Sequence, residues 1–181
     1  MMYYGPKELA ASFRQVRGNT IQIADEIPES KYEFRAAPDC RSVGQTLVHI
    51  AFAPRLQLHL HRRRVSDLKS VNFLELIQPI AAEEGKSRTK AEVLAALTSE
   101  GEAVADYLAG LTDAFLAEAV AMPPGAQPAA KSRFEMLLST KEHEMHHRAQ
   151  LMVVQRMLGI TPHLTRQMQE RMAQRAAGAV R

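Results

Sequence analysis

Three times in this sequence a Ser or Thr is followed three positions later by Glu or Gln, and each time an apolar pattern of helical period begins at once. The pairs are Ser42 with Gln45, Thr89 with Glu92, and Ser132 with Glu135. In such a box the hydroxyl accepts from the backbone N–H three residues on while the Glu or Gln side chain reaches back, so two stranded donors of a helix start are satisfied together. Val43, Leu47 and Ile50 follow the first box, Val93, Leu94, Leu97, Val104 and Leu108 the second, and Phe134, Leu137, Leu138, Leu151, Val154 and Leu158 the third. A fourth helix starts near Pro6, a residue favoured in a first turn, with Leu9, Phe13, Val16 and Ile23 on one face. Four such helices without sustained strand alternation predict an all-α chain folded as a four-helix bundle.

The segments between the helices are dense in breakers: Pro28 to Pro38, Pro79 to Lys86, and Pro123 to Pro128. They read as connections within one domain spanning 1–181, with its core at about 6–162. Tyr32 to Arg35 reads as a short extended piece. Pro54 is expected to kink or end the second helix about one turn beyond His49. The long connection from about Ser66 to Arg88 points to an up-down-down-up order. Gly159 and Pro162 stop the last long helix, and 163–181 forms a tail with Met168 and Met172 on one face, expected to be a short helix packed on the bundle or on a second copy. A homodimer is expected on this ground.

Composition narrows the function classes. Cys40 is the single cysteine, which excludes an intrachain disulfide and a thiolate-rich metal site. No basic-then-apolar leader and no apolar run near 20 residues is visible, so the expected setting is the reducing cytoplasm, without a membrane partner. A net charge of +3, concentrated in Arg62 to Arg64 and in the tail, disfavours a nucleic-acid partner. His59 and His61 beside that cluster are two apart, diverge on a helix, and read as a solvated helix end.

The informative stretch is Lys141 to Gln150, deep in the last long helix, with three of the seven histidines. Residues four apart on a helix share a face at about 5–6 Å between Cβ atoms, so His143 and His147 can clasp one ion of the zinc type. His146 is turned about 100° away. His143, His147, Gln150, Leu151, Val154 and Leu158 form one stripe, so the pair continues the apolar seam toward the interior, where an imidazole needs a partner and a metal is one. Gln150 is a candidate for supporting His147 or touching substrate; Glu144 is a weaker catalytic candidate. His49 faces inward with Thr46, Ala53 and Leu56, which by itself fits a core histidine as well as a ligand. His143-Glu144-Met145-His146-His147 also matches the zincin protease signature with Glu144 as base, but Gly159 and Pro162 interrupt the route to a further ligand. A di-iron bundle would need a second Glu-x-x-His, which the chain lacks.

Pro38 to Ile50, with its Ser42-Val43-Gly44-Gln45-Thr46-Leu47-Val48-His49 core, together with His143 to Leu151 and the following Gly159-Ile160-Thr161-Pro162, resembles the DinB-like family, which includes YfiT-like metal-dependent hydrolases and thiol-dependent S-transferases. The resemblance covers nearly the whole chain and departs at Ala149, where the family's second motif usually has Gly. It implies a DinB/YfiT-like four-helix bundle holding one divalent ion (zinc, nickel, iron or manganese) on His49, His143 and His147. It further implies a small-molecule substrate, with a low-molecular-weight thiol among the candidates, and hydrolysis or thiol transfer. A metal-binding scaffold without catalysis is the alternative.

Overall fold

In the computed structural model, which describes residues 4–179, the three capping boxes open three long helices as their spacing requires. Ser42 accepts from the Gln45 N–H and caps α2 (Val43–Phe52), which breaks at Ala53 and continues as α3 (Pro54–Arg62). Thr89 caps α5 (Lys90–Ala109) and Ser132 caps α7 (Arg133–Met157). The first helix, α1 (Pro6–Glu26), has Pro at its start, and its Glu8 carboxylate accepts from the Gly5 N–H.

Long-range contacts give the helix directions. Arg14 meets Glu102 and Asp106 of α5, while Lys90 reaches the Ile27 carbonyl just past α1, so α1 and α5 are antiparallel. Ser12 meets Lys141, and Glu26 meets Gln155, so α1 and α7 are parallel. His49 meets His143, and His61 meets Arg133, so α2–α3 runs against α7. The order is therefore up-down-down-up. Two successive helices in the same direction need a connection as long as the bundle, and here it contains a helix of its own, α4 (Phe73–Glu84).

That helix corrects the reading of Pro79 to Lys86 as a plain connection. Pro79 sits inside it, where its missing N–H and ring disfavour but do not forbid a helix. Packing offsets the cost, because Phe73 and Leu76 lie on one small core with Leu60, Leu68 and Val120, and Ile80 lies on the main core. After α5 come the short α6 (Asp113–Ala117) and an antiparallel hairpin of β1 (Ala119–Ala121) and β2 (Ala130–Ser132) that leads into α7. These strands were not visible in the sequence, since three residues carry no alternation. The piece expected to be extended, Tyr32 to Arg35, is instead a turn at Tyr32 and Glu33 that follows a single 3-10 turn at Glu29–Lys31, and Phe34 and Arg35 form no strand. The Tyr32 hydroxyl donates to the Ala24 carbonyl at 2.9 Å, and burial pushes its pKa up.

The interior is Leu, Ile and Val, with Leu9, Phe13, Ile23, Leu47, Ile50, Leu97 and Leu151 fully or nearly fully buried. Each contributes about 1.5–3 kcal/mol on leaving water. Through this apolar centre runs one ion pair, Arg17 with Glu144 at 2.9 Å, the two side chains 4% and 2% exposed. Arg17 also donates to the carbonyls of Leu97 (2.7 Å) and Ile50 (3.1 Å), so one guanidinium ties α1 to α2, α5 and α7. The sequence makes room for it twice. Ile50 would normally bond the N–H four residues on, but that residue is Pro54, so its carbonyl is free for Arg17. Gly101 lies against Arg17, and a Cβ there would come within 2.8 Å of its Cγ.

The tail is a helix, α8 (His163–Ala179), held at its start by His163 against Asn19 and by Arg166 against Glu26 at 2.5 Å. Met168 and Met172 do not pack on the bundle; they are 60% and 63% exposed.

Candidate metal centre

The three histidines singled out above meet between α2 and α7. The Nε2 atom of His143 lies 3.1 Å from Nε2 of His49 and 3.2 Å from Nε2 of His147, and the three ligand atoms all fall within 4.8 Å of one another. A tetrahedral ion with bonds of 2.0–2.1 Å holds its ligand nitrogens about 3.3 Å apart, so the two spacings from His143 suit one ion. The pair on α7 follows from helical geometry alone. His49 joins it because Pro54 breaks the helix only after His49 has completed its turn facing α7.

The outer nitrogens of two of the rings are already engaged, and this sets which tautomer each ring adopts. His49 Nδ1 faces the Glu84 carboxylate at 2.8 Å, and a carboxylate only accepts, so Nδ1 carries the proton and Nε2 presents a lone pair. His147 Nδ1 lies 2.9 Å from Gln150 Oε1, with the same consequence. The Gln150 amide is oriented by a second contact, its Nε2 donating to Nε2 of His146 at 3.2 Å. Lone pairs are thus turned toward a common point by groups behind the rings, the arrangement that fixes metal-ligating histidines generally. Burial, and then the neighbouring histidines, lower the His143 pKa to about 4; burial likewise lowers that of His147. His143 therefore stays neutral, as a ligand must, well below pH 7, and His147 is pushed in the same direction.

Glu84 comes from α4, the helix that sequence reasoning missed. It takes His49 on one oxygen and Arg41 Nε at 2.5 Å on the other. The need for a carboxylate behind a ligating histidine is general, but no spacing in the sequence identifies which one answers it.

Glu144 requires a correction. As a catalytic base it would have to face the histidines; as a flanking residue it would be solvated. It is neither, being 1% exposed with its carboxylate held by Arg17 on the α1 side of α7. One step along a helix turns a side chain by about 100°, which carries it out of the site. The zincin reading loses its base with it. His61 is a second correction. Instead of lying in a solvated helix end it is 1% exposed, its Nδ1 accepting from Arg133 at 3.1 Å, while Arg133 also pairs with Glu118 at 2.8 Å. Burial, and then the Arg133 charge, bring its pKa down to about 4.

Two clefts flank the trio. The larger, about 760 Å³, reaches His147 and Gln150 and is rimmed by Arg41, Asp39 and the exposed Cys40, with Phe34, Val43 and Leu151 as apolar walls. The smaller, about 400 Å³, ends at His49 and His143. Such an arrangement can hold a cation with open coordination positions reachable from two sides.

Comparison with known proteins agrees with this architecture. The family model described as the DinB superfamily matches residues 12–151. A DinB-like protein of Bacillus cereus has the same fold with a TM-score of 0.67 at 17% identity, covering 89% of this chain and 97% of its own. YfiT from Bacillus subtilis, described as a probable metal-dependent hydrolase with an unusual four-helix bundle topology, superposes with a TM-score of 0.67 at 14% identity over 89% of this chain and 91% of its own. The DinB-like protein YjoA of Bacillus subtilis gives 0.62 at 19% identity, over 85% and 93%. No curated protein matches the sequence. Among the described residues no helix is long and apolar enough to cross a membrane.

Proposed function

The chain belongs to the DinB superfamily, and from that premise we propose that it is a divalent-metal-dependent enzyme, a hydrolase or a thiol-dependent S-transferase, with its ion on His49, His143 and His147. The observation that carries the reading is the convergence of the three Nε2 atoms with Glu84 and Gln150 bonded behind two of the rings. YfiT, of the same fold, is described as a probable metal-dependent hydrolase. When bound, a divalent ion supplies Lewis acidity and makes a water or a thiol more acidic.

The chain's own residues would do the rest. Glu84 and Gln150 hold the rings, Arg41 braces Glu84, and the apolar wall of Phe34, Val43 and Leu151 narrows the larger cleft so that a substrate's body leaves little room for bulk water. The substrate is a small molecule, with a low-molecular-weight thiol as cosubstrate in the transferase case. The protein acts in the cytoplasm as a homodimer. Zinc, nickel, iron and manganese all accept imidazole, so the metal is one of these.

Elemental analysis of protein purified without chelator tests the proposal, with about one divalent ion per chain expected and its loss in His143→Ala and His147→Ala. Metal-free protein, or content unchanged in both variants, would remove the basis of the reading. Bound metal without turnover across ester, amide and thiol-transfer substrates would instead favour a non-catalytic metal-binding protein, which rests on the same three histidines.

A further inference from the structure

The smaller cleft differs from the larger one in its chemistry. It is walled by Ile77 and Ile80 of α4 and by the start of α3, it ends at His49 and His143, and among the described residues no Lys, Arg, Asp or Glu lines it. Besides the histidines, three polar side chains interrupt the apolar lining, Gln57 on α3 and Ser139 and Thr140 on α7, and of these Ser139 is already satisfied, donating to the Met136 carbonyl at 2.6 Å. Thr140 is 7% exposed, and neither its Oγ1 nor the Gln57 Oε1 has a hydrogen-bond partner among the described residues. A helical Thr usually returns its hydroxyl to a carbonyl of the preceding turn, as Thr20 and Thr46 do here. Thr140 does not, although its helix offers the same carbonyls. Buried polar atoms are nearly always paired, so two unpaired oxygens in one cleft suggest a partner that is not part of the protein.

The missing partner can be characterised. Away from the histidine end, the absence of charge in the lining selects a neutral ligand body, because a carboxylate or ammonium held between Gln57, Thr140, Ile77 and Ile80 would find no counter-charge there. The Gln57 oxygen requires a donor, and the Thr140 hydroxyl can both give and take a hydrogen bond. A hydroxyl group meets both needs. The remaining surface, Ile77 and Ile80 foremost, suits an apolar body. Thr140 has two accessible χ1 wells in a helix, so its hydroxyl can turn between its present position and the cleft.

We infer that the smaller cleft is a binding site for a neutral, mainly apolar small molecule carrying a hydroxyl group, read by Gln57 and Thr140, with one end directed at His49 and His143. The histidine end makes it a substrate site of the proposed enzyme; the binding itself stands whether or not that enzyme reading does. The Arg41-bearing cleft, which reaches His147 and Gln150 instead, then serves a different reactant.

Benzyl alcohol, toluene and benzoate probe the site. Each is titrated into the protein as purified while the methyl resonances of Ile77 and Ile80 are followed by NMR. Benzyl alcohol is expected to shift both resonances saturably, and benzoate to leave them in place in His147→Ala, where no ion offers it a counter-charge. The ratio of benzyl alcohol to toluene affinity is expected to fall about tenfold in Thr140→Val and in Gln57→Leu, the loss of one hydrogen bond to a buried partner. The ratio, rather than either affinity, cancels the differing cost of taking the two probes out of water. Thr140→Val is also expected to keep or raise Tm, since it replaces an unpaired hydroxyl by a methyl of the same shape. No saturable shift at Ile77 and Ile80, an unchanged ratio in both variants, or a Tm loss in Thr140→Val would each overturn the inference. The same ratio measured in His147→Ala, which removes a metal ligand that does not line this cleft, separates the two readings, since its persistence without metal upholds this site even if the metal-dependent activity fails.

Discussion

Replacing Arg17 by Met should be among the most damaging single changes available in this chain, and the structure gives the size of the effect. The substitution keeps an unbranched apolar stem but strands the Glu144 carboxylate, 1% exposed, with no other cation among the described residues bonded to it. Removing one partner of a buried pair costs about 3–5 kcal/mol. The Ile50 carbonyl also loses the Arg17 donor, and Pro54 cannot supply the usual helical one, adding roughly 1–2 kcal/mol for an unmade buried hydrogen bond. A total near 5 kcal/mol is a large part of the 5–15 kcal/mol by which domains are stable. With a urea slope of about 2 kcal/mol/M it moves the unfolding midpoint by about 2.5 M. Urea unfolding followed by circular dichroism at pH 7 measures this, with Arg17→Lys as a milder variant that keeps the charge but loses the fork. The double variant Arg17→Met, Glu144→Leu should recover at least about 2 kcal/mol, because the stranded charge is gone. It should also retain metal, since Glu144 faces α1 and not the trio. A loss below about 1 kcal/mol for Arg17→Met, or a double variant less stable than the single one, would refute the assignment of Arg17 as the central tie. Metal loss in the double variant at full stability would refute the placement of Glu144.

Glu84→Gln, which keeps the shape but removes the charge behind His49, should weaken metal affinity about 10–100-fold in a chelator competition while leaving the far-ultraviolet spectrum unchanged; equal affinity would mean that the Glu84 contact does not orient the ring. For His61, whose folded pKa is lowered from 6.5 to about 4, the unfolded chain binds the proton first. Its contribution to stability is therefore present at neutral pH and declines as pH falls from 6.5 toward 4, by about 3 kcal/mol at most. Denaturant midpoints at pH 7 and pH 4.5 should converge between His61→Phe and the wild type, or cross, and a constant gap would contradict a buried neutral imidazole.

What the sequence determined alone was whatever is decided within about four residues. The capping boxes at Ser42, Thr89 and Ser132, the start at Pro6 and the break at Pro54 lie where expected because each depends on bonds between near neighbours. The His143–His147 pair belongs to the same class, since a helix puts residues four apart side by side. The third histidine entered through family resemblance, because nothing local to His49 separates a ligand from a core residue. The tertiary structure decided everything that depends on which helix lies opposite. It kept Pro79 within α4 by giving Phe73, Leu76 and Ile80 a core to cover, and so delivered Glu84 to His49. It turned Glu144 from a candidate base into the partner of Arg17, a residue 127 positions away, and moved His61 from an assumed surface to the interior beside Arg133. A charged side chain written in a sequence reads as solvated by default. Whether it is paired and buried instead depends on a counter-charge brought from elsewhere in the chain, and that only the packed bundle can supply.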